Sequence, residues 1–243
     1  MIKTLFLKAF LLLLSHIVFC QDKQDTVFVQ RSIQQAENLY HQSIAKQLNL
    51  YNGRDYKPYI PYGEEHPYFL KDDWTIGSII YEADHYASIP LLFDLRSEKL
   101  LTENPFNGSM MELASSKVQQ FEINGHTFVR LKQDKNLSEV TEGFYELLYN
   151  GNLKLYARRK KNFQERPKGN IMQAEFDEKN KYFLFNGKAY VKVSNKSSLI
   201  KALGGKKKLS EVANRKSKTY SSNKTEDTLV YLTERYDTHT PSL

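Results

Sequence analysis

The chain has 243 residues, with 35 Lys and Arg against 28 Asp and Glu, 40% apolar residues and 13% aromatic residues, and a mean hydropathy of −0.58. These values exclude a polytopic membrane protein, and an aromatic content of this order supplies more core-forming surface than a disordered chain carries. The net charge of +7 speaks to partners and solubility, not to fold.

At the N-terminus Lys3 and Lys8 stand ahead of the apolar run Ala9 to Leu14, continued by Ile17, Val18 and Phe19, before the chain turns polar at Gln21-Asp22. This is the pattern of a secretory signal peptide over residues 1–20, too short and wrongly flanked for a spanning helix. Cleavage after Cys20 leaves a mature chain starting at Gln21. The alternative is a lipid anchor on Cys20, disfavoured because Phe19 sits where a small residue is wanted. Cys20 is the single cysteine, so disulfides and cysteine-bound zinc within the chain are excluded.

The mature chain reads as one domain over residues 21–243. Ile33, Ala36, Tyr40, Ile44 and Leu48 recur at three and four residues, which predicts a helix within 21–50. Residues 51–72 hold Pro58, Pro61 and Pro67 among Tyr51, Tyr56, Tyr59, Tyr62, Tyr68 and Phe69. Prolines forbid helix and central strand there, so an extended strap pinned by its rings is expected.

Residues 73–194 read as sheet. Asn124-Gly125, Asn150-Gly151 and Asn186-Gly187 each separate two short β-branched and aromatic runs, and Asn-Gly accepts the positive φ values of a type I′ hairpin turn. A fourth hairpin is expected where Gly77–Tyr81 meets Tyr86–Phe93, with Leu100-Leu101 as a further strand. That makes about eight to nine antiparallel strands. In residues 195–243, helices are predicted over Ser197–Leu203, Leu209–Lys216 and Glu226–Tyr236. The fold class is α+β: an antiparallel meander forming a curled sheet, open barrel or sandwich, with an N-terminal helix and C-terminal helices.

Several segments carry a likeness: Leu50–Tyr56; Pro67–Leu70 with Trp74 and Gly77; Ile80–Tyr86 leading to Pro90–Asp94; Phe144–Gly151; and Ser197–Lys201. In these the chain resembles an uncharacterised family of secreted proteins common in Bacteroidota. The resemblance implies export and carries over no catalytic residue. The chain departs from the family's glycine in the first hairpin turn, having Ala83-Asp84.

Charge is unevenly placed. Lys154–Lys168 holds seven basic residues and one acid, and Lys192–Lys218 holds nine and one. Without the signal the net charge is +5, so those stretches carry +14 and the remainder −9. The basic residues Arg158, Arg159, Lys160, Lys161, Lys206, Lys207 and Lys208 are candidates for binding an anionic envelope component or protein partner, against the bland alternative of two unrelated solvated runs. Nucleic acid is not expected, because the runs lack interleaved stacking aromatics.

Tyr56, Tyr59, Tyr62 and Trp74 are candidates for an aromatic binding surface, though rings that pin a proline-rich strap are the commoner case. Glu64, Glu65 and His66 near Asp72, Asp73, Asp84 and His85 would serve an envelope glycan or ester hydrolase if the strap folded over the first hairpin. A curled sheet could also carry a small apolar ligand. No nucleophile motif, phosphate loop or histidine pair at metal spacing is present, so no cofactor is expected. The reading that follows is an exported, non-catalytic binding or structural module in the periplasm or outside the cell.

Overall fold

The computed structural model describes residues 29–36, 39, 49–58, 65–133, 140–204 and 224–239. The chain divides after Leu50 into two compact units. In the first, residues 29–36 and 39 are helical, with Val29, Ile33 and Leu39 exposed.

The second unit is built on one sheet of eleven strands: β1 (Arg54–Asp55), β2 (Thr75–Tyr81), β3 (Asp84–Asp94), β4 (Lys99–Glu103), β5 (Met110–Glu112), β6 (Val118–Ile123), β7 (His126–Leu131), β8 (Gly143–Asn150), β9 (Lys154–Lys168), β10 (Ile171–Phe185) and β11 (Tyr190–Val193). Their order is β1-β5-β4-β3-β2-β6-β7-β8-β9-β10-β11. Neighbouring strands pair antiparallel throughout. Two meanders, β2–β5 and β6–β11, therefore meet along the β2–β6 pair.

The sheet is open but strongly curled. β3 and β8 lie four steps apart in it, about 19 Å if the sheet were flat, yet the rings of Phe93 and Phe144 are 5.8 Å apart at near right angles. Inside the curl Phe121 and Phe128, directly opposite on β6 and β7, stack at 4.9 Å. Phe93 and Phe69 meet that pair edge-on at about 5 Å. All five rings are buried, a core in which each edge-to-face pair adds to area burial. The interior expected of an apolar carrier is thus occupied by the chain's own phenylalanines.

Asn124 (φ 54) and Gly125 (φ 77) form the expected type I′ turn. The first hairpin also turns on two residues, Glu82 (φ 50) and Ala83 (φ 72), tighter than the four-residue loop the sequence suggests. Alanine there stands in a conformation that disfavours a Cβ by about 1–2 kcal/mol, which explains why glycine suits the position. At the third pair Gly187 alone has positive φ, and the Asn186 side chain accepts from the Lys188 and Ala189 amides. Asn150-Gly151 is different again: Asp237 accepts from the Asn152 and Leu153 amides and from the Tyr149 hydroxyl. A Cβ on Gly151 would stand 2.2 Å from Asp237 Oδ2, so glycine makes room for the helix.

Helices α1 (Lys196–Ala202) and α2 (Lys224–His239) cover the β9–β11 part of the concave face. Leu199, Leu203, Leu229 and Leu232 pack there on Leu155, Ala157, Tyr182, Leu184 and Val193. The cap of α1 is Asn195, which forms a capping box with Ser198. The helix predicted over Leu209–Lys216 lies outside the described residues.

The strap's described residues are tied to the sheet by backbone pairing. β1 pairs β5, and Tyr68 bridges to Asp94 at the end of β3. Tyr68, Leu92 and Leu101 form a cluster with Tyr56, Trp74 and Met110 against it.

Candidate functional site

β9 and β10 pair from Lys154↔Phe185 to Lys168↔Ile171, while β8 reaches only to Ala157 and β11 only to Tyr182. Residues 158–168 and 171–181 therefore form a two-stranded ribbon beyond the body of the sheet. Because side chains alternate between faces, the basic run of β9 is divided.

Arg158, Lys160 and Asn162 face one way, and their cross-strand partners are Lys181, Lys179 and Asp177. A groove of about 380 Å³ lies here, lined by Arg158, Lys160, Asn162, Glu178, Lys179, Asn180 and Lys181. Four cations thus stand in two rungs. By strand geometry the rungs are about 7 Å apart and the members of each about 5 Å apart.

Arg158 is locked. Its Nε and Nη2 donate to the two oxygens of Glu98 at 2.9 and 3.0 Å. Its remaining donors reach Thr141 Oγ1, the Tyr145 hydroxyl and the Glu142 carbonyl. Lys160 Nζ also meets Glu98, at 2.6 Å. Among the described residues the side chains of Lys179 and Lys181 have no hydrogen-bond or ion-pair partner, and both residues are exposed.

Arg159 and Lys161 face the other side and add nothing to that groove. Arg159 is 6% exposed. Its Nε donates to Glu146 at 2.6 Å, and its Nη atoms donate to Glu226 of α2 at 2.6 and 2.9 Å. Glu146 in turn meets His126 Nδ1 at 2.5 Å. Burial opposes the charge of Arg159, but its bonds to Glu226 and the two carboxylates' charge hold its pKa above the ordinary value. Lys161 Nζ donates to the carbonyls of His66 and Tyr68, both at 2.9 Å, and burial lowers its pKa. Lys206, Lys207 and Lys208 lie outside the described residues.

Glu226 shows what the internal pairs do to pH response. Burial raises its pKa, but the Arg159 hydrogen bond and charge, with a bond from Tyr182, bring the net below the ordinary 4.5. A carboxylate depressed in the folded state stabilises the fold above its unfolded pKa and loses that contribution as pH falls through the folded value. The docking of α2 is therefore expected to hold down to about pH 5 and weaken below about pH 4. In Glu226→Gln that acid step should disappear from a helix-content titration by circular dichroism.

The aromatic candidates that are described, Tyr56 and Trp74, lie half-buried against the Tyr68 cluster. The Tyr56 hydroxyl donates to Asp94 at 2.5 Å, and burial followed by this bond raises its pKa. Trp74 packs half-buried in the same cluster, and burial pushes Tyr68 up to about 12. Tyr59 and Tyr62 lie outside the described residues.

The acid/base constellation is only partly assembled: Glu65 and Asp72 lie near enough for their charge to act on His66, but the His85 end does not join them. Glu65 accepts from the Phe176 amide of the ribbon, and His66 Nδ1 accepts from the Tyr68 amide. Tyr68 is held at Asp94, nine residues along β3 from His85, or roughly 30 Å of strand. His85 and Asp84 thus sit at the far end of the first hairpin, and Glu64 lies outside the described residues. Among the described residues no three His, Cys, Asp or Glu side chains are placed to hold a metal, and no helix is long and apolar enough to cross a membrane.

The sequence reading missed Lys179 and Lys181. The available signal was Lys168-Gly169-Asn170, whose Gly169 has φ 65. A turn there sets the register that brings both lysines opposite Arg158 and Lys160. No family model matches the chain, and neither a curated protein nor a solved structure matches it.

Proposed function

We propose that the protein is an exported cell-envelope protein that acts as a non-catalytic binding module, taking an anionic partner in the groove at the base of the β9–β10 ribbon. The observation that carries this reading is the pair of exposed lysines, Lys179 and Lys181, facing Arg158 and Lys160 with Glu98 as the counter-ion of the β9 pair. A concave site of this volume falls within the range of small-ligand sites, and a cleft in which cations outnumber carboxylates concentrates anions. The filled phenylalanine interior and the separation of His66 from His85 favour neither the apolar carrier nor the hydrolase.

Heparin serves as a soluble anionic glycan for the test. Lys179→Glu with Lys181→Glu is expected to weaken heparin binding by about tenfold or more at low salt, with the difference shrinking as salt rises. Unchanged binding at low salt would refute the groove. Export is tested by the exported protein's N-terminus: Gln21 is expected, and a lipid-modified Cys20 would instead assign the anchored form.

A further inference from the structure

Glu98 sits in the β3–β4 turn at φ 55, a conformation uncommon for a residue with a side chain. Its carboxylate is gripped by both Arg158 nitrogens that face it and by Lys160. The groove's β9 cations are therefore already holding an anion, supplied by the chain itself. Across the groove the Lys179 and Lys181 side chains hold none among the described residues. Four lining cations stand against two carboxylates, Glu98 and Glu178. With Asp177 one rung further out on the same face, a positive surplus remains among the described residues, which suits a phosphomonoester carrying close to two negative charges near neutral pH. A carboxylate ligand would bring one charge and two oxygens. A phosphomonoester brings three terminal oxygens, one for each of the ammonium groups of Lys160, Lys179 and Lys181. Asp177, opposite Asn162, bounds the basic section on the side of the ribbon tip.

We propose that the groove is a site for a phosphomonoester group, with Glu98 as its resident competitor. The ligand's oxygens take Lys160 from Glu98 while Lys179 and Lys181 engage from β10. Arg158 stays on Glu98, fixed by its bonds to Thr141, Tyr145 and Glu142. This rests on the anion-binding reading above and adds both the ligand class and a built-in brake on affinity.

The test is calorimetric titration of the full mature chain with glucosamine 1-phosphate, inorganic phosphate and acetate. Wild type is expected to bind the phosphates more tightly than acetate. Lys179→Glu with Lys181→Glu should weaken phosphate binding at least about tenfold, whereas Glu98→Gln should tighten it by about fivefold to tenfold, the effect of removing one like charge at this range. If Glu98→Gln does not fold, Glu98→Asp, which withdraws the carboxylate from Lys160, carries the same expected direction. Loss on lysine reversal with no tightening on either Glu98 change overturns the competitor and leaves anion binding standing. Acetate binding as tightly as the phosphates overturns the ligand class. Lysine reversal that alters neither heparin nor phosphate binding overturns the groove itself. Tighter binding of the sugar phosphate than of inorganic phosphate supports a phosphorylated saccharide as the source, and equal binding supports free phosphate.

Discussion

Replacing Arg159 with Ala is expected to lower the stability of the fold by about 3–5 kcal/mol, read as a fall in the urea midpoint with little change in slope. The physical reason is the company the guanidinium keeps. Glu146 is 3% exposed and Glu226 is largely covered, so removing the cation between them leaves two carboxylates buried and uncompensated. The loss should not be read as the net value of the bridge, because desolvation of three charged groups opposes it. Replacing Arg159, Glu146 and Glu226 together by apolar residues of similar volume is accordingly expected to cost far less than Arg159→Ala alone. A triple variant as unstable as the single one would show that the network contributes more than charge balance.

The second large effect is expected at Asp94. This buried carboxylate accepts from the Tyr56 hydroxyl at 2.5 Å, the Ser97 hydroxyl at 2.7 Å, the Arg96 amide at 2.8 Å and the Ser97 amide at 3.1 Å. Asp94→Ala leaves these donors to find water or nothing, an expected cost of about 3 kcal/mol at roughly 1–3 kcal/mol per stranded buried group. Tyr56→Phe removes one donor and leaves the carboxylate three, for about 1 kcal/mol. The two variants should also differ in proteolysis. With Asp94→Ala the strap loses the side-chain anchor of its N-terminal half and should be nicked near Lys57, while Tyr56→Phe, with Asp94 still closing its turn, should resist longer.

Much of the body could be read from residue order. β6 and β7 fall on the runs either side of Asn124-Gly125, because that pair fixes the turn between them. The ribbon could not be read the same way. From Arg158 to Lys161 and from Asp177 to Lys181 both faces carry charged or amide side chains, so no period of two appears in hydrophobicity. β1 and β5, at two and three residues, are too short to show any period. The basic run was visible as a run, but strand alternation then sent Arg158 and Lys160 to the groove and Arg159 and Lys161 inward. Glu98 gave no signal at all, since its role depends on a turn 60 residues from Arg158 in sequence.

The pairing of Arg159 with Glu226 spans 67 residues, and Leu199, Leu203, Leu229 and Leu232, which cover β9–β11, all come later in the chain than the strands they cover. A chain delivered N-terminus first can form its hairpins early, but β9 then presents an arginine paired with Glu146 alone beside the uncovered Leu155 and Ala157. Closure has to wait for residue 232. Until then the molecule is a set of formed hairpins with one sticky face, a form that holding chaperones recognise and that cannot yet lock.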